Sequence, residues 1–266
     1  MSRPDGGAVS VSFVRKLGSM YARIGRVYWS WAPTLLLLAA IVFLPLGLVG
    51  AVATEIDLDS IDVDSAAELA VLIGAIGAIT ATSLLGEVFY SGAIAISLTH
   101  PAHDHPPKLR EIARRVNYRR LIVIDIVYVA LVLVGLAAFL IPGLLIFIYL
   151  GLAGPVVEIE ERTIRQAFRR SLSLVRGNFW LVFFVLAPVE IAGDVIGEYL
   201  GHLIHEALYD HFIGTWLAET VSSSVLSPIY AVAVVLLTLD LIEQKDGTAP
   251  ALKHQPAPVA KPAVSA

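Results

Sequence analysis

RTIRQAFRRSLSLVRGNFWLVFFVLAPVEIAGDVIGEYLGHLIHEALYD, residues 162–210, changes character twice. Its first part is a basic amphipathic run. Gly177-Asn178 marks a turn, and FWLVFFVLAP is fully apolar. Two interlocked rows follow, Gly193-Gly197-Gly201 and Glu190-Asp194-Glu198-His202, the second continuing to Glu206 and Asp210. A basic surface helix, a bilayer-spanning helix and a helix contact are the three environments that suit these parts.

The two rows bear most on function. In a helix that continues past Pro188, residues four apart stack along one side. Glu190, Asp194, Glu198 and His202 then form a candidate proton- or cation-binding ridge, and Gly193, Gly197 and Gly201 a neighbouring face for close helix packing. Like charges at this spacing repel. At least one of Glu190 and Asp194 is therefore expected to be protonated or bound to a cation. Span five begins at Phe179-Trp180; if it ends near Pro188 instead of continuing past His202, the ridge is the wet face of an outer amphipathic helix.

The rest of the chain is of the same kind. Its 266 residues are 57% hydrophobic and 16% charged, with mean hydropathy +0.76. An ordinary soluble domain carries about 25% charge. The apolar residues come in blocks long enough to span a bilayer. The reading is an all-α polytopic membrane helix bundle with six spans, from 11 to 243, between a loose N-terminus (1–10) and a disordered Pro/Ala-rich tail (244–266). A net charge of -4 suggests no nucleic-acid partner, and the lack of cysteine excludes disulfides and thiolate sites.

From Val11 to Tyr28, Phe13, Leu17, Met20, Tyr21 and Ile24 alternate with Arg15, Lys16, Arg23 and Arg26, as in a helix lying on a membrane surface. Span one is Pro33 to about Ala53. Ala51-Val52-Ala53 resembles a signal-peptidase site, but the long apolar run and the thirty or so residues before it suggest an uncleaved span. In the acidic loop that follows, Asp57, Asp59, Ser65 and Glu68 match part of a calcium-loop spacing, without its turn glycine. Residues 66–97 form span two, with small faces at Gly74, Ala78 and Thr82 and one deep acid, Glu87. His100, His103, His105 and Asp104 fix no fourth zinc ligand, so a plain loop is preferred. Lys108–Arg120 is a second basic run. Span three is Leu121–Leu140, a tight turn follows at Ile141-Pro142-Gly143, span four is Leu144–Val157, and span six is about Val225–Leu241. Asp125 and Asp240 are expected near the cytoplasmic interface, pairing with Arg119, Arg120 or Lys245.

With six spans, all 19 Lys and Arg fall on one side, in 3–26, 108–120, 162–176 and 245–261. The opposite loops hold only acids, among them Glu55, Asp57, Glu206, Asp210 and Glu219. The positive-inside rule then gives a cell-membrane protein with both termini cytoplasmic. A unit of basic amphipathic helix plus helical hairpin recurs three times, starting near Val11, Lys108 and Arg162. Such repeats occur in transporters and in structural bundles.

PVVEIEERTIRQAFRRSLSLVRGNFW, residues 155–180, resembles the membrane domain found beside some bacterial glycerophosphodiester phosphodiesterases and related stand-alone six-span bacterial proteins. The resemblance rests on Pro155, Glu158 or Glu160, Ala167, Phe168, Arg169, Arg170, Ser171, Leu174, Val175, Arg176, Gly177, Phe179 and Trp180. It implies a six-span fold and no catalytic residue, because no stretch here could form the soluble phosphodiesterase barrel. On physical grounds Arg165, Arg169, Arg170 and Arg176 are expected to contact lipid headgroups, each adding about 1 kcal/mol near an anionic leaflet.

No nucleotide loop, zinc-protease helix or serine elbow occurs, so neither enzyme chemistry nor a cofactor or metal is expected. Two functions remain. One is a non-catalytic membrane protein that organises anionic lipid, a membrane partner or copies of itself. The other is an ion-coupled small-molecule permease using the intramembrane acids. A polar cavity reaching the acids from one side would favour the second.

Overall fold

The computed structural model describes residues 6–54, 84–99, 109–208 and 211–247. Among these the chain is helical, with no strand. In chain order the helices are α1 (Gly6–Thr54), α2 (Glu87–Leu98), α3 (Leu109–Arg115), α4 (Tyr118–Ala138), α5 (Leu140–Leu150), α6 (Ala153–Ile159), α7 (Ile164–Val175), α8 (Phe179–Leu208) and α9 (His211–Asp246). Five stretches are long and apolar enough to cross a membrane: Phe13–Val49, Tyr118–Ala138, Leu140–Ile159, Phe179–Ile204 and Phe212–Asp246. Expected span two is described only from residue 84, where it ends in the short apolar helix α2. The calcium-like loop, the histidine loop and the tail beyond Gly247 lie outside the described residues.

α1 corrects the expectation of a separate surface helix. It runs unbroken for 49 residues, about 73 Å at 1.5 Å per residue. No Gly-Asn pair interrupts it, and one buried stripe continues through Met20, Ile24, Trp31, Leu35, Ala39 and Phe43. Propagating a helix adds one hydrogen bond per residue fixed, so the helix also takes in residues 6–10, expected to be loose. α9 likewise reaches 244–246, which had been assigned to the tail. The α1 stripe packs on α9, antiparallel to it. The Tyr28 hydroxyl donates to the Val225 carbonyl (3.1 Å), and Trp216 Nε1 donates to the Leu44 carbonyl (2.9 Å).

The reversal between α4 and α5 comes at extended Phe139, not at Ile141-Pro142-Gly143. Pro142 falls in the first turn of α5, where its missing N–H would have had no helical partner. α8 passes Pro188 without ending, which excludes the short span five. Pro188 cannot donate to the Phe184 carbonyl four residues back. The Tyr21 hydroxyl of α1 donates there instead, at 2.6 Å. Tertiary structure thus replaces the bond that the sequence removes.

Within lipid, helices gain little from hydrophobic association and cohere through close packing and polar contacts. The tightest approaches join α2 to α6 and α4 to α5. A Cβ on Gly154 would collide with the Val88 carbonyl oxygen, and one on Gly135 would lie 2.8 Å from the Cα of Gly143. Neither pair belongs to the expected glycine row.

Candidate functional site

α8 and α9 are antiparallel neighbours whose facing sides are lined by small residues. Gly197 on α8 meets Ser222 on α9, whose Oγ donates to the Gly197 carbonyl at 3.1 Å. Gly201 meets Ala218. The row is looser than expected. A Cβ on Gly193 would have nothing within 4 Å, and one on Gly201 only Ala218 Cβ at 3.8 Å. Only Gly197 is close-packed, a Cβ there lying 3.3 Å from Leu226 Cδ1, whereas Gly193 and Gly201 open a space beside it. The space is a cleft of about 840 Å³.

Its α8 wall carries Glu190, Glu198 and His202, so the predicted ridge and the glycine row share one surface. The side chain of Asp194 lies outside the described ones. His202 Nε2 sits 3.3 Å from Glu206 Oε1 on the exposed end of the helix, a surface pair of small energetic weight. The α9 wall supplies Glu219, Ser222, Ser223, Ser227 and Tyr230. Glu219, expected in an outer loop, belongs to α9 because the helix already begins at His211, and it lines the cleft. The signal for this wall is Ser222-Ser223-Ser224 and Ser227, four serines within six residues of a membrane-spanning stretch.

Glu87 closes the deep end. It is 8% exposed and stands in the first turn of α2, where it accepts a hydrogen bond from the Ser227 hydroxyl. α2 starts abruptly because Gly86 adopts a left-handed backbone, φ 97°. Twelve helical residues separate this break from Thr99, about 18 Å of rise. A helix that starts in the buried interior leaves its first amide N–H groups in need of acceptors. Asp125 of α4 satisfies them. Its Oδ2 accepts from the Gly86 N–H at 2.7 Å and its Oδ1 from the Val88 N–H at 3.3 Å.

Asp125 therefore does not pair with Arg119 or Arg120 as expected; it is a 4%-exposed cap on a broken helix. Asp240 does lie at the basic end, but its partner is Arg23 of α1, not Lys245 (Nη1 to the two carboxylate oxygens, 2.8 and 2.9 Å). The proximity of α1 decides both the choice and the geometry.

The predicted headgroup arginines divide. Arg165, Arg169 and Arg176 are exposed, whereas Arg170 turns inward to Glu160 and Asp246. Burial opposes its charge, yet the two carboxylates hold its pKa above the ordinary guanidinium value. Other residues of the 155–180 stretch are also structural. Glu158 accepts from the Asn117 N–H at 3.3 Å, Ser171 Oγ donates to the Tyr149 carbonyl at 2.7 Å, and Gly177, φ 95°, ends α7.

No family model, curated protein or solved structure matches the chain. Among the described residues, no three carboxylate or imidazole groups converge as metal ligands do. The acids of the cleft are strung along it. Glu190 and Glu198 are separated by eight helical residues, about 12 Å.

Proposed function

We propose that the chain is a non-catalytic carrier that takes an extended organic cation, of the linear polyamine class, into the cleft between α8 and α9. The observation that carries the reading is the cleft's course, from exposed His202 to Glu87 at a buried helix break. Carrier sites lie near the bilayer midplane beside discontinuous helices. Ionisable groups at that depth are costly and mark pathways for charged solutes. Acids about 12 Å apart along an otherwise small-residue and hydroxyl-lined wall suit a chain of spaced ammonium groups better than one bare metal ion. In this reading the cleft opens outward, both termini are cytoplasmic, and the basic end faces the cytoplasmic leaflet of the cell membrane. Arg165, Arg169 and Arg176 then meet anionic headgroups, which retains the lipid contact as an anchor. The likeness of residues 155–180 to a phosphodiesterase-associated membrane domain agrees with a membrane unit that has no enzyme site of its own.

The chain contains no cysteine, so a single Ser223→Cys reports on the cleft alone. Its reaction with an impermeant maleimide should slow at least fivefold in spermidine and stay unchanged in an equal ionic strength of sodium chloride. Glu190→Gln in the same background should reduce the protection. Equal rates with and without spermidine would remove the carrier reading and leave the lipid-organising one.

A further inference from the structure

The far side of Glu87 is sealed. From Ala231 to Thr238 every residue of α9 is buried, forming about 12 Å of tightly packed helix between Tyr230 on the cleft floor and Asp240. Beyond it, the last two turns of α9 are held by polar side chains from two directions. Toward α1, Arg23 grips Asp240 with two hydrogen bonds and Lys16 Nζ lies 3.4 Å from Gln244 Oε1. Toward α7, Lys245 Nζ donates to the Ser173 carbonyl at 2.7 Å and Arg170 pairs with Asp246. Gln244 also reaches Asn178 at the start of α8. The opposite half of α9 flanks the cleft and meets α8 at Ser222, whose hydroxyl donates to the Gly197 carbonyl.

We infer that the Arg23–Asp240 pair, with the Arg170–Asp246 and Lys245–Ser173 contacts, is the inner latch of the molecule: it holds the basic half of α9 against α1 and α7 and keeps the cleft closed at that end. The inference rests on the carrier reading for its purpose, though not for its test. A surface-facing ion pair is a suitable latch. It is worth little when made, so it can be released, yet Nη1 of Arg23 centred between the two Asp240 oxygens fixes one approach of α1 to α9. The buried run behind it supplies the seal, and the pair sets whether that run stays seated.

Ala233, fully buried within the seal, is the reporter position. In the otherwise cysteine-free full chain, Ala233→Cys should be almost unreactive toward an impermeant maleimide applied to the basic end in inside-out vesicles. Adding Asp240→Asn should raise its labelling rate at least tenfold. Arg23→Gln, which leaves Asp240 in place, should do the same. The exchange of charges, Arg23→Asp with Asp240→Arg, should return labelling toward the parental rate. A parental rate in either single variant that remains monodisperse in detergent overturns the latch, as does an exchange that labels as fast as the single variants. Spermidine protection of Ser223→Cys is read on the same preparations. Loss of protection with an intact labelling response would sink the carrier and keep the latch; protection without the response would do the reverse.

Discussion

At Asp125 a carboxylate meets two amide N–H groups in a setting only 4% exposed. The pair of contacts sets the start of α2 and so the depth of Glu87. Asp125→Asn keeps one acceptor oxygen and the shape of the side chain, and should cost about 1 kcal/mol. Asp125→Leu leaves both N–H groups without an acceptor and should cost about 2–4 kcal/mol. Thermal unfolding in detergent should therefore show a clearly larger drop for Leu than for Asn; equal drops would mean that charge, not acceptance of the two bonds, is what matters. The sequence pointed to Asp125 as a costly intramembrane acid but not to its partner. The partner is backbone 39 residues away, at one glycine among several in the same apolar block, and nothing local says which of them turns left-handed. Glu87 was legible for the opposite reason: it is the single acid of that block beyond its first turn.

Helix α8 shows what periodicity can and cannot supply. The four-residue spacing of Glu190, Glu198 and His202 and that of the glycines run along one continuous helix that lines the cleft. The tightness of the contact was not legible, because it depends on the opposite wall. Along α8 only Gly197 is met closely, by the Leu226 side chain, while Gly193 and Gly201 have room, whereas Val88 and Gly154 nearly touch backbone to backbone. A methyl group should discriminate the two. Gly154→Ala should destabilise the protein by about 2 kcal/mol or more through overpacking, since backbone rather than a flexible side-chain tip lies in the way. Gly193→Ala meets open space and should be neutral or slightly stabilising, as alanine is the better helix former. The check is the melting temperature of each variant in one detergent. A Gly193→Ala loss as large as that of Gly154→Ala would mean that the α8 row clamps a partner after all.

Across the whole molecule, the clustering of Lys and Arg in 3–26, 108–120, 162–176 and 245–261 is the property most plainly written in the sequence, and the structure joins three of these clusters through Arg23–Asp240 and Arg170–Asp246. Impermeant labelling tests the orientation. Phe212→Cys, at the exposed start of α9, should react in intact cells, and Arg169→Cys, exposed on α7, should react only after the membrane is opened. Reaction of Arg169→Cys in intact cells would invert the topology. α9 joins the two ends. Its one proline, Pro228, lies between Ser227, which holds Glu87, and the buried run that begins near Tyr230. Pro228 withholds the N–H due to the Ser224 carbonyl, so this is where the rod is weakest along its axis. The joint divides α9 into an arm that carries Ser227 and the Glu87 contact, tied to α1 through Tyr28 and Trp216, and an arm whose buried run ends in the Arg23–Asp240 pair, so a bend at Pro228 changes the one without unseating the other.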